Sequence, residues 1–261
     1  MVKQMVIENL KCEFTPQPND PDTLNIRLYG DVEPYSCDPM TGEIRRSKNS
    51  QDYFAEQLDK YRNVKQINLY INSAGGFVDQ GYGIYANLKR HPAHKTCYID
   101  GFANSIASII ALSGDETIMY PNSMMGIHNM MTACFGNAAE MRKTADDLEK
   151  IMEGCKTIYL DRAAGKITAE KLTELLDNET MLTADECIAY GFCDRIIGRQ
   201  SPDQAAGAAD ENQHPEKPNG AEDDSQTPDQ TAGAGSNAKP NQQATDRKSP
   251  DIFACIAKSL L

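Results

Sequence analysis

Gly101-Phe102-Ala103-Asn104-Ser105-Ile106-Ala107-Ser108, continued by Ile109-Ile110-Ala111-Leu112, reads as a strand end, a tight turn of small residues and a buried helix that opens at Ser105. A serine on such a turn is held at a fixed place. The helix dipole and the free amides beside it favour a developing negative charge. These are the surroundings a nucleophilic hydroxyl needs. Taken alone, however, a serine at a helix start is more often only a cap, so the rest of the chain must supply its partners.

Two features do so. His128 ends the apolar segment 124–127, and strand ends are where α/β folds place reactive groups. An isolated histidine more often satisfies a nearby carbonyl. Here His91, His94 and His214 fall in a loop or in the tail, so His128 is the best-placed base for Ser105. Gly75-Gly76 follows another strand, where paired glycines let the backbone approach a ligand and leave amides free to hold an oxyanion. A phosphate loop is the rival use of such a turn. Residues 74–77 lack its lysine and spacing, and Gly165-Lys166 has neither the upstream glycine nor the following hydroxyl residue. The chain is therefore expected to carry no nucleotide site, cofactor or metal.

Outward from these residues, strands alternate with helices. Strands are expected at 24–30, 67–71, 96–99, 117–120, 124–127 and about 194–197, with 31–50 a loop. Helices are expected from Ser50 to about Tyr61, over 78–88, from Ser105, over 138–163 and over 168–176. Thr183 and Glu186 form a capping box for a last one. In the long helix Met141, Ala145, Leu148, Met152, Cys155 and Tyr159 share one stripe. Strand–helix alternation from 64 to 127 implies βαβ crossovers and a largely parallel sheet.

Composition narrows the function classes. A net charge of -12 argues against a nucleic-acid or anionic-membrane surface. Residues 201–248 hold nine acids and four bases and almost no large apolar residue, so they are expected to be disordered. Residues 251–261 regain an amphipathic pattern, short of what folds alone. The eight cysteines show no C-x-x-C spacing, which disfavours a zinc site and fits buried thiols in a reducing cytoplasm. No apolar run reaches 18 residues and no secretory pattern opens the chain, so a cytoplasmic location is expected.

Four blocks stand in the order and spacing of a known family: residues 70–76 (Tyr-Ile-Asn-Ser-Ala-Gly-Gly), the Ser105 turn, residues 121–128 (Pro-Asn-Ser-Met-Met-Gly-Ile-His), and residues 181–194. Over about 24–198 the chain resembles the Clp protease proteolytic subunit. The resemblance implies an α/β fold, a ClpP/crotonase-like spiral of βαβ units with a long handle helix at 138–163, followed by a disordered acidic tail. The domains are then a peptidase domain over 1–199, a linker over 200–250 and a short segment over 251–261. It also implies a serine endopeptidase with Ser105 as nucleophile, His128 as base, and the amides of Gly76 and Ile106 as the oxyanion hole. The family usually has an aspartate as third triad member. Here the aligned residue is Glu179, with Asp177 the alternative.

The same resemblance implies a homo-oligomeric ring acting on protein or peptide substrates, with two contexts open. One is processing of phage scaffold and capsid precursors. The other is degradation of unfolded proteins fed by a separate ATPase. The first is favoured by Glu179, by Asn104 before the serine, by Ala74 in place of the usual proline, by the 31–50 insertion and by the acidic tail. A crotonase-like acyl-CoA enzyme and a non-catalytic ring scaffold are the alternatives from other classes. Neither requires Ser105 and His128 together.

Overall fold

The computed structural model describes residues 12–38 and 41–199. The expected 200–250 linker and the 251–261 segment lie outside the described residues. The chain opens with a hairpin, β1 (Glu13–Gln17) against β2 (Asp20–Tyr29), turning at Asn19 with a positive φ of 67°. In β2 the alternation of Leu24, Ile26 and Leu28 with Asn25 and Arg27 buries one face and leaves the other polar. Next comes a short hairpin, β3 (Tyr35–Cys37) with β4 (Ile44–Arg46), where the sequence suggested only loop. Its strands are three residues each and carry no apolar alternation, so periodicity had nothing to register. Its exit is tied down by Arg46, which pairs with Glu56 of the next helix.

Helix α1 (Gln51–Lys60) starts where expected, because the Ser50 side chain accepts from Tyr53 N–H, and it buries Phe54 and Leu58 one turn apart. Strand β5 (Gln66–Ser73) buries Ile67, Leu69, Ile71 and Ser73. Helix α2 (Val78–Arg90) then leads to β6 (His94–Asn104). Strands β2, β5 and β6 run parallel, with the helices as crossovers. The core lies between these helices and the sheet. The other sheet face carries polar and aromatic pairs, including Asn68 Nδ2 donating to Asn25 (3.0 Å) and the stacked rings of Tyr70 and Tyr98.

Strand β6 outruns its expected end at 99 and continues to Asn104 across a bulge, where Asn72 Oδ1 accepts from Phe102 N–H. That extra length makes β6 the branch point. After the short helix α3 (Ile106–Ala111), β7 (Glu116–Met119) pairs with the first half of β6. The turn at Pro121-Asn122-Ser123 then sends β8 (Met124–Ile127) against residues 102–104 of the same strand.

The long helix α4 (Ala138–Ala163) has its expected bounds and opens with a capping box between Asn137 and Glu140. Its stripe is only half buried. Met152, Cys155, Tyr159 and Ala163 enter the core, while Met141 and Ala145 are exposed, because the first half of the helix stands clear of the body. Helix α5 (Ala169–Asp177) is capped by Thr168. Strand β9 (Thr180–Thr183) pairs antiparallel with β8, α6 (Ala184–Tyr190) follows, and β10 (Arg195–Ile196) closes on β7. Five cysteines (12, 97, 155, 187, 193) are buried and free, whereas Cys37 and Cys134 are exposed, so the expectation of buried thiols holds for most of the described ones. Among the described residues no helix is long and apolar enough to cross a membrane.

The capping box of α6 is complete. Thr183 N–H and hydroxyl donate to the Glu186 carboxylate (2.8 and 2.7 Å), and Glu186 N–H donates back to Thr183 Oγ1. The Thr183 backbone bond, then its hydroxyl, hold the Glu186 carboxyl below its ordinary value. A depressed folded-state pKa gives stability that is present above the ordinary value and lost as pH falls through the folded one. Thr183→Ala should therefore cost about 1 kcal/mol in urea unfolding at neutral pH. The deficit of Glu186→Ala against wild type should shrink on acidification through the carboxylate range. A deficit independent of pH would show that the charge contributes nothing.

Candidate active site

Ser105 sits between β6 and α3 with φ 53° and ψ -128°, a backbone conformation that is costly for a residue with a side chain. Its N–H donates to the Gly126 carbonyl (2.8 Å). Its carbonyl accepts from both Ser108 N–H (3.0 Å) and Ser108 Oγ (2.5 Å). The backbone is thus tied on both sides. Although Ser105 occupies the N-cap position, its side chain makes no capping hydrogen bond. The bland use of a serine at a helix start is therefore absent, and the hydroxyl is left over.

The branch in β6 brings His128 to this point. Asn104 pairs with Gly126, so the residues just beyond the ends of β6 and β8 are neighbours. Ser105 and His128 line one narrow cleft of about 20 Å³, walled by Val78, Ile106, Met130 and Met152. That is room for roughly one water molecule. A wider open groove of about 530 Å³ adjoins it along α4, sharing Met130 and Met152 and reaching Asn129 and Asp177.

His128 Nδ1 lies 2.5 Å from the Asn129 carbonyl oxygen. A carbonyl only accepts, so Nδ1 carries a proton, and in the neutral ring the lone pair is then on Nε2. This is the tautomer a general base requires. Neither expected carboxylate hydrogen-bonds to the ring. Asp177, at the end of α5, instead accepts from Asn129 Nδ2 (2.7 Å). Glu179 is exposed on a turn with φ 47°. The β8–β9 register ends at the pair Ile127–Thr180, and Glu179 and His128 are the residues that adjoin that pair outside the two strands.

The glycine pair is wedged beneath the serine. Gly75 (φ 100°) lies so close that a Cβ there would come within 2.7 Å of both Asn104 O and Ser105 Cβ, and 3.3 Å of Ile106 N. Gly76 (φ 142°) faces the other way, its missing Cβ only 2.1 Å from Val32 O. Val32 N–H donates to Gly75 O (2.7 Å) and Phe77 N–H to Val32 O (2.8 Å), which leaves the Gly76 amide out of the bridge. Among the described residues neither the Gly76 nor the Ile106 N–H finds an acceptor.

Sequence reasoning passed over four contributors: Val32, the Asn129 carbonyl, Cys155 and Tyr159. Nothing near Val32 or Asn129 in the sequence marks them, since both act through backbone atoms. Cys155 and Tyr159 appeared only as members of an apolar stripe, yet both line the cleft. Cys155 is the rival nucleophile there. Burial pushes its thiol up, only partly offset by the Tyr82 hydroxyl 3.1 Å away, so it is not a ready thiolate.

The Clp protease family matches residues 41–200, which includes every residue of this cleft. The chain belongs to the Clp protease family. Membership implies peptidase activity. Two similar proteins, from two strains of Bacteroides fragilis, are each named ATP-dependent Clp protease proteolytic subunit. Each is 30% identical over 142 residues, which is 54% of this chain and 68% and 64% of the respective relatives. The described fold, with its central sheet and six helices, is consistent with this family.

Gly76→Ala must place a Cβ against the Val32 carbonyl from an unfavourable φ. It should lower the unfolding free energy by about 2–4 kcal/mol in urea titration. An alanine tolerated without loss would mean that the loop and Val32 are not in backbone contact.

Proposed function

We propose that the chain is a serine endopeptidase in which Ser105 attacks the peptide carbonyl and His128 takes its proton. One observation carries the reading: a strained serine whose hydroxyl caps nothing shares a cleft with a histidine. His128 Nε2 accepts the Ser105 proton and returns it to the leaving amine, and water then resolves the acyl-enzyme by the reverse path. The Gly76 and Ile106 amides hold the tetrahedral oxyanion. Glu179 is the carboxylate that stabilises the imidazolium, supported by its position next to Thr180, which pairs with the residue before His128. Asp177 is the alternative, supported by its bond to Asn129. The groove along α4, which adjoins the serine cleft at Met130 and Met152, offers room for part of a peptide substrate.

Ser105→Ala should leave thermal unfolding nearly unchanged and cut hydrolysis of a fluorogenic peptide by about 10⁴-fold or more. Labelling by a fluorophosphonate should vanish with it. A retained rate in the purified variant would remove the serine assignment.

The working form we propose is a homo-oligomeric ring. Its support is the set of exposed large apolar residues before and along α4, Met131, Phe135, Met141 and Ile151, of which Phe135 is completely exposed. For the biological role, processing of phage capsid and scaffold precursors is supported by the departures at Ala74, Asn104 and Glu179 and by the acidic tail. Degradation alongside a separate ATPase is supported by the names of the two Bacteroides relatives. Sedimentation of the purified protein should show an assembly, and a monomer would overturn the ring. Degradation of an unfolded protein only when a Clp ATPase and ATP are added would decide for the second role. Cleavage of a capsid or scaffold precursor without them would decide for the first.

A further inference from the structure

Tyr159 is fully buried on α4, and its hydroxyl lies 2.5 Å from Ser108 Oγ. Ser108 Oγ is in turn 2.5 Å from the Ser105 carbonyl oxygen. The direction of this chain is fixed by its end. The carbonyl cannot donate, so Ser108 donates to it, and Tyr159 must therefore donate to Ser108. The Ser105 carbonyl and the Ile106 N–H belong to one planar trans peptide and point in opposite directions. Whatever grips that carbonyl also aims that amide. We propose that Tyr159, acting through Ser108, is a positioning residue that holds the Ser105–Ile106 peptide plane so that the Ile106 N–H faces the oxyanion.

This rests on the peptidase reading above and adds to it the element that sets the amide's direction. The positive φ at Ser105 makes such a grip necessary. A residue in a sparsely populated conformation relaxes unless its surroundings over-determine it. The Ser108 N–H bond to the same carbonyl is an ordinary feature of a first helical turn, and the hydroxyl relay is added to it. The Tyr159 ring is set independently of its hydroxyl, against Phe192 (5.4 Å between centroids). Removing the hydroxyl alone thus leaves the packing in place. Tyr159 also lines the Ser105–His128 cleft, so the relay is anchored at the site itself.

The test compares wild type, Ser105→Ala, Tyr159→Phe, Ser108→Ala and the Tyr159→Phe/Ser108→Ala double variant on a fluorogenic peptide. A peptide boronic acid serves as a mimic of the tetrahedral state. Tyr159→Phe should lower kcat by about tenfold with KM within about twofold, a part of what losing an oxyanion donor costs. Boronate affinity should fall in step with kcat. Because Tyr159 acts through Ser108, the double variant should be no slower than Ser108→Ala alone. If Tyr159→Phe fails to fold, Ser108→Ala still must show the kcat loss at unchanged KM. Wild-type kcat in Tyr159→Phe or Ser108→Ala, with Ser105→Ala inactive, overturns the relay and leaves the peptidase reading standing. Equal hydrolysis by wild type and Ser105→Ala overturns both.

Discussion

Backbone contact at Gly75-Gly76 is the constraint on which the site depends. On one side the loop bridges Val32, and on the other it lies against Asn104, Ser105 and Ile106. No side chain fits on either side, so two distant parts of the sequence are locked together through main-chain atoms alone. The end of β2, the start of α2 and the turn into α3 then have one relative placement. Small changes of volume here are felt as strain, because packed interiors have no slack to absorb them. The close approach of Gly75 to the Ile106 N–H is part of this wedge.

The second half of the site follows from the length of β6. A strand ending at Ile99 would pair with β7 only. By running on to Asn104 it offers a further edge, and β8 takes that edge after the turn at Pro121-Asn122-Ser123. The Ser105 N–H completes the pairing by donating to Gly126. A Cβ at Gly126 would meet Asn104 Oδ1 at 2.5 Å and Met181 Sδ at 2.7 Å, so these side chains would have to shift to admit it. His128 therefore arrives beside Ser105 by strand pairing, and β9 pairs outside β8 to carry Glu179 toward the same end.

Much of this was legible in the sequence, and the parts that were not have identifiable physical causes. Helix starts at Ser50, Thr168 and Thr183 were readable because each depends on a side chain accepting from an amide three residues on. The strand 67–71 was readable because one face is apolar. The β3–β4 hairpin and β1 were missed because their short, largely exposed strands carry no apolar alternation, and β9 and the extension of β6 because their pairing is set by partners far along the chain. The α4 stripe was named without its burial, because a helical period shows which residues share a face, but not how much of that face another element covers. In the candidate site, Ser105, His128 and the Gly75-Gly76 pair could be singled out from local pattern, whereas Ile106 entered only through the family resemblance. Val32 and the Asn129 carbonyl could not, since backbone groups leave no mark in a sequence.

The strain at Ser105 has an identifiable counterweight. Holding a residue with a side chain at φ 53° and ψ -128° costs about 1–3 kcal/mol. Three hydrogen bonds converge on its own N–H and C=O, from Ser105 N–H to Gly126 and to its carbonyl from Ser108 N–H and Oγ. At about 0.5–1.5 kcal/mol net for each, they are of the right size to offset that cost. None of them uses the Ser105 hydroxyl. The backbone is thus fully committed while the side chain is not, and this division separates a positioned hydroxyl from a capping one. A serine that capped α3 would have its oxygen engaged by the first turn and its φ relaxed to the β region. The structure has neither, and the surrounding bonds work to keep it so.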